Sequence, residues 1–366
     1  MNIFFVGQTT ISKTSSQGSR IHALAKQLAK RGHEVIAFTA TGKELRRGAH
    51  MRVQYLPSLV PDAPGGWLYT LLSILSATRK QADVIQVTSW KAAALIPLAA
   101  VLRPHTTIIW TTDTAPSTKR LGRRLTVWLA ARLCDAITTP TREAQYRFRN
   151  LFGVLPIYIP DGYNTPIMTD IPTSHWKLRK NTYTLALCVT PEALQKLCKA
   201  YKSAKSRKKV SVLTNALTPA LKRIQTRNSF IRIIEANTPR ARASLIRNAG
   251  SLVIADATPS TQEFLLAMES GVPLIAVNHP LYQEIAGTTV QFFQSEDAEH
   301  FSKLLGTALQ TAGTKKKSTK TTKRARAHFM WERIYEDYEI LYHYPLVRRV
   351  PVDSVRPNLH SPVPLG

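Results

Sequence analysis

Acidic residues, cysteine and long apolar runs are what this chain of 366 residues has little of. Only 23 Asp and Glu stand against 50 Lys and Arg, a formal charge of +27. The excess is spread evenly, with 21 bases against 8 acids in residues 1–165 and 29 against 15 in the remainder. Such a surface disfavours cationic partners and suits anionic ones, whether nucleic acid, acidic lipid headgroups or a nucleotide diphosphate. Three cysteines, Cys134, Cys188 and Cys198, have no metal-ligand spacing and sit in apolar or helical runs. They read as buried thiols in a reducing compartment, which excludes a disulfide scaffold. The longest apolar stretch, residues 92–102, contains Pro97 and is too short to span a bilayer. Residues 1–7 lack a basic leader before their short apolar run and read as a first strand rather than an export signal. The expectation is a cytoplasmic protein, at most peripheral to a membrane.

What is present is an alternation. With 44% hydrophobic and 8% aromatic residues the composition is that of a folded protein. Residues 3–6 form a strand, residues 7–17 a polar loop, and Ile21, Leu24, Ala25 and Leu28 repeat with the period of one buried helix face. The helix stops at Arg31-Gly32-His33 and a second strand follows at residues 34–38. Further strands are expected at 83–87, 106–111 and 136–139, each after a helical pattern, which implies a mostly parallel sheet. Periodicity fades around Ile159-Pro160-Asp161-Gly162-Tyr163-Asn164 and resumes at 183–189, with strands at 210–213, 230–234, 251–255 and 273–277. The domain plan is therefore residues 1–165, a linker over 166–182, a second Rossmann-like domain over 183–310, a flexible basic connector over 311–327, one helix over 328–344, and a disordered tail over 345–366. Residues 67–75, Trp67-Leu68-Tyr69 onward, lead into Arg79-Lys80 and fit either a packed helix or one lying on a membrane surface.

Four stretches, in order, resemble family 4 glycosyltransferases. They are Gln17-Gly18-Ser19-Arg20-Ile21-His22 with Arg31-Gly32-His33-Glu34-Val35, then Cys134 to Ala144 with Ile159-Pro160-Asp161-Gly162, then Ala249-Gly250 through Gly271-Val272-Pro273-Leu274, and last Phe329-Met330-Trp331-Glu332 to Leu341-Tyr342. The resemblance implies an α/β protein of GT-B architecture, two Rossmann-like domains facing across a cleft, with the last helix packing back on the first domain. It implies a retaining transferase that moves a hexose from a nucleotide-diphosphate sugar to a glycan or lipid-linked acceptor, without metal or other cofactor. Nucleic acid is not an expected partner, since no recognition motif accompanies the charge.

On that alignment the donor contacts would be Gly18, whose amide suits close approach to phosphate, Arg142 after the 136–139 strand, and Thr258 and Glu263. Arg20 and Asp113 are the acceptor candidates, and Asp113 and Glu263 the catalytic ones. His33, at the helix-to-strand turn, reads as structural. The pattern departs from the family at the chemistry. Thr258 and Leu266 stand where relatives carry paired glutamates, and Ala186 to Ala193 carries neither of the usual phosphate-binding cations; Lys196 and Lys199 read as solvated helix charges. Gln86, Thr88 and Thr112 occupy positions where relatives often place histidine. A catalytically silent binding or scaffolding subunit is the alternative.

Overall fold

Parallel strands covered by helices on both faces are largely apolar, as in β1, β9, β12 and β13 of this chain, while β4 and β11 carry Arg52, Gln54, Arg232 and Glu235. The computed structural model describes residues 1–7, 16–39, 45–46, 50–56, 67–113, 121–163, 171–187, 190–204, 206–214, 217–256, 261–312 and 318–344. The chain divides into two units, Met1–Pro160 with Ile334–Gly366, and Asp161–Arg333.

The first unit holds β1 (Asn2–Val6), β2 (Glu34–Thr39), β3 (Leu45–Arg46), β4 (Met51–Tyr55), β5 (Val84–Val87), β6 (Thr107–Thr111), β7 (Ala136–Thr139) and β8 (Ile157–Tyr158). They lie in the order β3-β4-β2-β1-β5-β6-β7-β8, parallel throughout except at the β3–β4 edge. Helices α1 (Ser16–Lys30), α2 (Trp67–Arg79), α3 (Trp90–Ala93), α4 (Ile96–Leu102), α5 (Leu121–Leu133) and α6 (Arg142–Phe152) make the connections. Helix α2 packs on the first unit through Tyr69, Thr70, Ser73, Ile74, Ala77 and Thr78, all buried, which favours the packed reading of residues 67–75.

Gly7 ends β1 with φ +91°, and a Cβ there would lie 2.4 Å from the Cβ of Ala92 and 3.1 Å from Ser89 Oγ. Ser89 caps α3 by accepting from the Ala92 amide, so β1 and the α3 start are pressed together. Gly7→Ala is therefore expected to cost about 2 kcal/mol or more, from overpacking and the left-handed backbone together, measured as the shift in urea midpoint.

The second unit holds β9 (Thr184–Leu187), β10 (Val210–Thr214), β11 (Ile231–Glu235), β12 (Ser251–Ile254), β13 (Leu274–Val277) and β14 (Gln291–Phe293), all parallel, in the order β11-β10-β9-β12-β13-β14. Its helices are α7 (Pro191–Ser203), α8 (Pro219–Arg227), α9 (Pro239–Arg247), α10 (Thr261–Ser270), α11 (Pro280–Ala286), α12 (Ala298–Thr311) and α13 (Thr319–Phe329). Helices α7, α8 and α9 all start on Thr-Pro. The threonine hydroxyl accepts from the amide three residues on, and proline fills the first turn where no amide partner exists.

Three of the expected segments differ from the structure. Part of the linker expected over 166–182 is folded onto the second unit: the Ile171 amide donates to Ser244 Oγ, Thr173–Trp176 is a 3-10 turn, and the Asn181 amide donates to the Asn248 carbonyl at 2.7 Å. The unit boundary comes earlier, at Asp161, because Tyr163 already pairs with Met330. The connector expected over 311–327 is largely α13, capped by Ser318, with Thr321, Ala325 and Phe329 buried at four-residue spacing. Its cations hid that stripe from the sequence reading. Arg324 donates to the carbonyls of Ile285 and Glu284, and Arg326 to Glu269 at 2.8 Å. The single helix expected over 328–344 is broken at Met330, which turns extended to pair with Tyr163 before α14 (Trp331–His343) begins. The tail over 345–366 lies outside the described residues.

From Ile334 onward α14 belongs with the first unit. His33, at the end of the turn after α1, faces Glu339 Oε1 at 3.4 Å, and Arg31 stands 5.0 Å over the Tyr335 ring. The Tyr335 hydroxyl beside it, with His33 and Arg31, holds the Glu339 carboxyl below its ordinary range. Of the cysteines, Cys134 is pushed up to about 12 by burial and by Asp135, and burial also raises Cys198, so neither is poised as a nucleophile. Cys188 lies outside the described residues.

Candidate active site

Ligands of open parallel sheets approach the carboxyl ends of the strands where strand order reverses. In the first unit that place lies between β1 and β5. What the sequence puts there is polar: Gly7 after β1, Thr88 after β5, Thr112 and Asp113 after β6. Arg20 reaches the same edge from α1, and its Nη1 donates to Asp113 Oδ1 at 2.5 Å. The arginine side chain is only 10% exposed and the aspartate 42%, so the pair opens to solvent on the carboxylate side. The two acceptor candidates are thus one ion pair, which orients both groups.

Beneath the pair runs a buried chain of hydrogen bonds. Gln86 Nε2 donates to Thr111 Oγ1 at 2.8 Å, and the Thr111 and Thr138 hydroxyls are joined at 2.8 Å. The Tyr342 hydroxyl of α14 donates to Gln86 Oε1 at 2.5 Å, and Thr88 Oγ1 to the Val6 carbonyl at 3.0 Å. Burial and the neighbouring Tyr338 and Tyr335 raise the Tyr342 phenol well above its ordinary range, so it remains a donor. Arg20, Gln86, Thr88, Thr111 and Tyr338 line a small hollow over this network. Such an arrangement can hold hydroxyl and anionic oxygens, since the arginine supplies charge and the side chains around it are fixed by one another. That α14 closes the network through Tyr342 is not legible in sequence, because 256 residues separate the partners.

The other donor-side candidates are placed less favourably. Gly18 is the third residue of α1, in helical backbone, so the strained glycine is Gly7 and not Gly18. Arg142 opens α6, whose cap Thr141 accepts from the Ala144 amide at 3.1 Å. Its guanidinium stands 5.1 Å over the Tyr158 ring and remains exposed, so positive charge and helix amides share one end of α6. Thr258 lies outside the described residues.

In the second unit Glu263, in the first turn of α10, is engaged by an arginine. Arg242 Nε of α9 donates to Glu263 Oε1, with side chains 11% and 17% exposed. The carboxylate is tied to a structural cation that sequence reasoning missed, because nothing in Pro239–Arg247 marks one arginine of three for burial. Leu266 packs against the unit's core, as a leucine should. Asp256 was also missed. It follows β12 where this sheet's order reverses, is 5% exposed, and its Oδ2 accepts from the Thr190 amide at 2.9 Å. An acid directly after a fully apolar strand was the available signal. Its charge favours hydroxyls and repels phosphate.

Among the described residues no cluster of three or more His, Cys, Asp or Glu could hold a metal, and no helix is long and apolar enough to cross a membrane.

Residues 17–165 match the family model for Glycosyltransferase Family 4. A search of curated protein sequences finds no match. Among solved structures, the chain is similar to a glycosyltransferase from Rickettsia africae (TM-score 0.71, 12% identity, covering 93% of this chain and 97% of that one). It is also similar to HepE from Anabaena with UDP and glucose (0.69, 14%, 93% and 98%) and to sucrose-phosphate synthase from Thermosynechococcus elongatus (0.68, 14%, 94% and 98%). Likeness at these identities shows the fold, and the family 4 match is confined to residues 17–165. Residues 17–165 thus match family 4, and the two Rossmann-like units share the GT-B fold of the glycosyltransferases named above.

Proposed function

We propose that the chain transfers a hexose from a nucleotide-diphosphate sugar to a glycan or lipid-linked acceptor, with retention at the anomeric carbon. The family 4 match over the first unit carries this reading. The HepE structure with UDP and glucose supports the choice of donor, since it shares the fold over 93% of this chain. In the reading, Arg20 and Asp113 hold the acceptor over the Gln86, Thr111 and Tyr342 network, and Arg142 with the amino end of α6 meets donor phosphate. No metal is required, because helix ends and cations can stabilise the leaving diphosphate.

A second reading is a silent GT-B subunit that binds without turning over, and two observations favour it. Leu266 is packed where a glutamate would contact donor, and Glu263 is engaged by Arg242. Proton NMR of UDP-, GDP- and ADP-sugars incubated with the protein and a lipid or glycan acceptor fraction separates the two. The transferase reading expects nucleotide diphosphate release with the anomeric configuration kept in the product. Binding without release supports the silent reading.

A further inference from the structure

The second unit carries its charge at two opposite edges of its sheet. Residues 195–248 contain fourteen Lys and Arg and one acid, Glu235. The connections that enter β9, β10 and β11 at their amino ends hold Arg179 and Lys180, then Lys202, Arg207 and Lys209, then Arg227, all six exposed. These strands are neighbours, about 5 Å apart, so the cations form a row along one edge. At the carboxyl ends stand acids instead: Glu192 after β9, Glu235 closing β11 and Asp256 after β12.

The fold does not account for the row. Lys202 and Arg227 lie in the last turns of α7 and α8, where a cation complements the helix carbonyls. Arg179, Lys180, Arg207 and Lys209 lie outside helices and have no such role. Among the described residues the salt bridges of the unit, Arg242 with Glu263, Arg326 with Glu269 and Lys303 with Glu299, use none of the six. Like charges this close repel, and an anionic ligand relieves that repulsion. The loops that present them are anchored. The Asn181 amide donates to the Asn248 carbonyl, the Tyr201 hydroxyl lies 2.7 and 2.9 Å from the Ser206 and Lys208 carbonyls, and Lys208 Nζ donates to the Gln310 and Ala312 carbonyls. Little ordering entropy therefore opposes binding.

What surrounds the row selects the partner. Among the described residues no exposed large apolar or aromatic side chain lies in these connections; Leu217, the one such residue of the unit, follows β10 at the other edge. A lipid surface needs apolar anchors, and single-stranded nucleic acid needs stacking platforms. A linear polysaccharide bearing carboxylate or sulfate groups needs neither, only cations spaced along its path.

We infer that the amino edge of the second sheet binds an acidic polysaccharide chain, at the edge opposite the carboxyl strand ends. The choice of a glycan rests on the transferase reading, but binding is measured without donor or transfer, so either can fail alone. The test is fluorescence anisotropy of labelled polygalacturonate and dextran sulfate oligomers with the full chain, neutral dextran being the control. The wild-type chain binds an anionic oligomer and not dextran, with affinity falling as salt rises; the preferred oligomer tells a uronate chain from a sulfated one. The triple variant Arg179→Gln, Arg207→Gln, Arg227→Gln binds at least about tenfold more weakly at an unchanged melting temperature. Lys30→Gln, Arg79→Gln, Arg147→Gln together remove the same charge from exposed sites of the first unit and leave affinity within about twofold. No binding of either anionic oligomer, an equal loss in the first-unit variant, or tighter binding of a DNA duplex of matched length would overturn the proposal.

Discussion

Replacing Arg242 by alanine is expected to destabilise the protein by about 3 kcal/mol. The guanidinium and the Glu263 carboxylate are both largely buried and bonded to each other. Removing one member leaves an uncompensated charge, which costs far more than the pair contributes over a well-packed apolar replacement. The double variant Arg242→Leu, Glu263→Leu should therefore recover most of the loss. Equilibrium urea unfolding of the single and double variants gives the coupling energy directly. A single-variant loss below about 0.5 kcal/mol, the range of exposed pairs, would show that Glu263 is solvated and available. The catalytic candidacy of Glu263 would then regain its footing.

Arg20→Ala is expected to lower kcat/KM for the acceptor about a hundredfold while leaving donor affinity within a factor of two or so. Arg20 is the buried cation of the hollow, and its partner Asp113 is held by it alone among the contacts drawn above. Loss of the arginine removes the charge and frees the carboxylate to turn away. Asp113→Asn keeps a hydrogen-bond acceptor for the arginine and should cost less. Equal weakening of donor binding in Arg20→Ala would move the residue to the donor side. Gly18→Ala supplies the complementary test. Position 18 is helical, so alanine should be neutral or slightly stabilising for the fold. A loss of donor affinity in that variant would thus report on ligand contact alone.

Most of the strand frame was readable in the sequence because most central strands are short apolar runs ending at a polar turn; β4, with Arg52 and Gln54, and the short β8 and β14 were not expected. Residues 3–6, 34–38, 136–139 and 251–255 show this, and each expectation falls within a residue of the observed strand. Helix α13 was not readable, because its buried face is one residue in four among lysine and threonine. The break at Met330 was missed because it follows from a pairing with Tyr163, 167 positions away in the chain. The site divides in the same way. Arg20 and Asp113 were each legible as polar groups near strand ends. Their bond to each other, the Tyr342 closure over Gln86 and the capture of Glu263 by Arg242 are tertiary facts. No local pattern encodes them, since each joins helices or strands distant in sequence.

The transferase proposal requires that this GT-B chain hold a nucleotide-diphosphate sugar. Calorimetric titration of the wild-type protein with UDP-, GDP- and ADP-sugars tests it most directly. Saturable binding of one nucleotide class is expected at or below about millimolar, the weak end of ordinary ligand affinity, weakened in Arg142→Ala. Absence of binding by every nucleotide sugar near millimolar would contradict it.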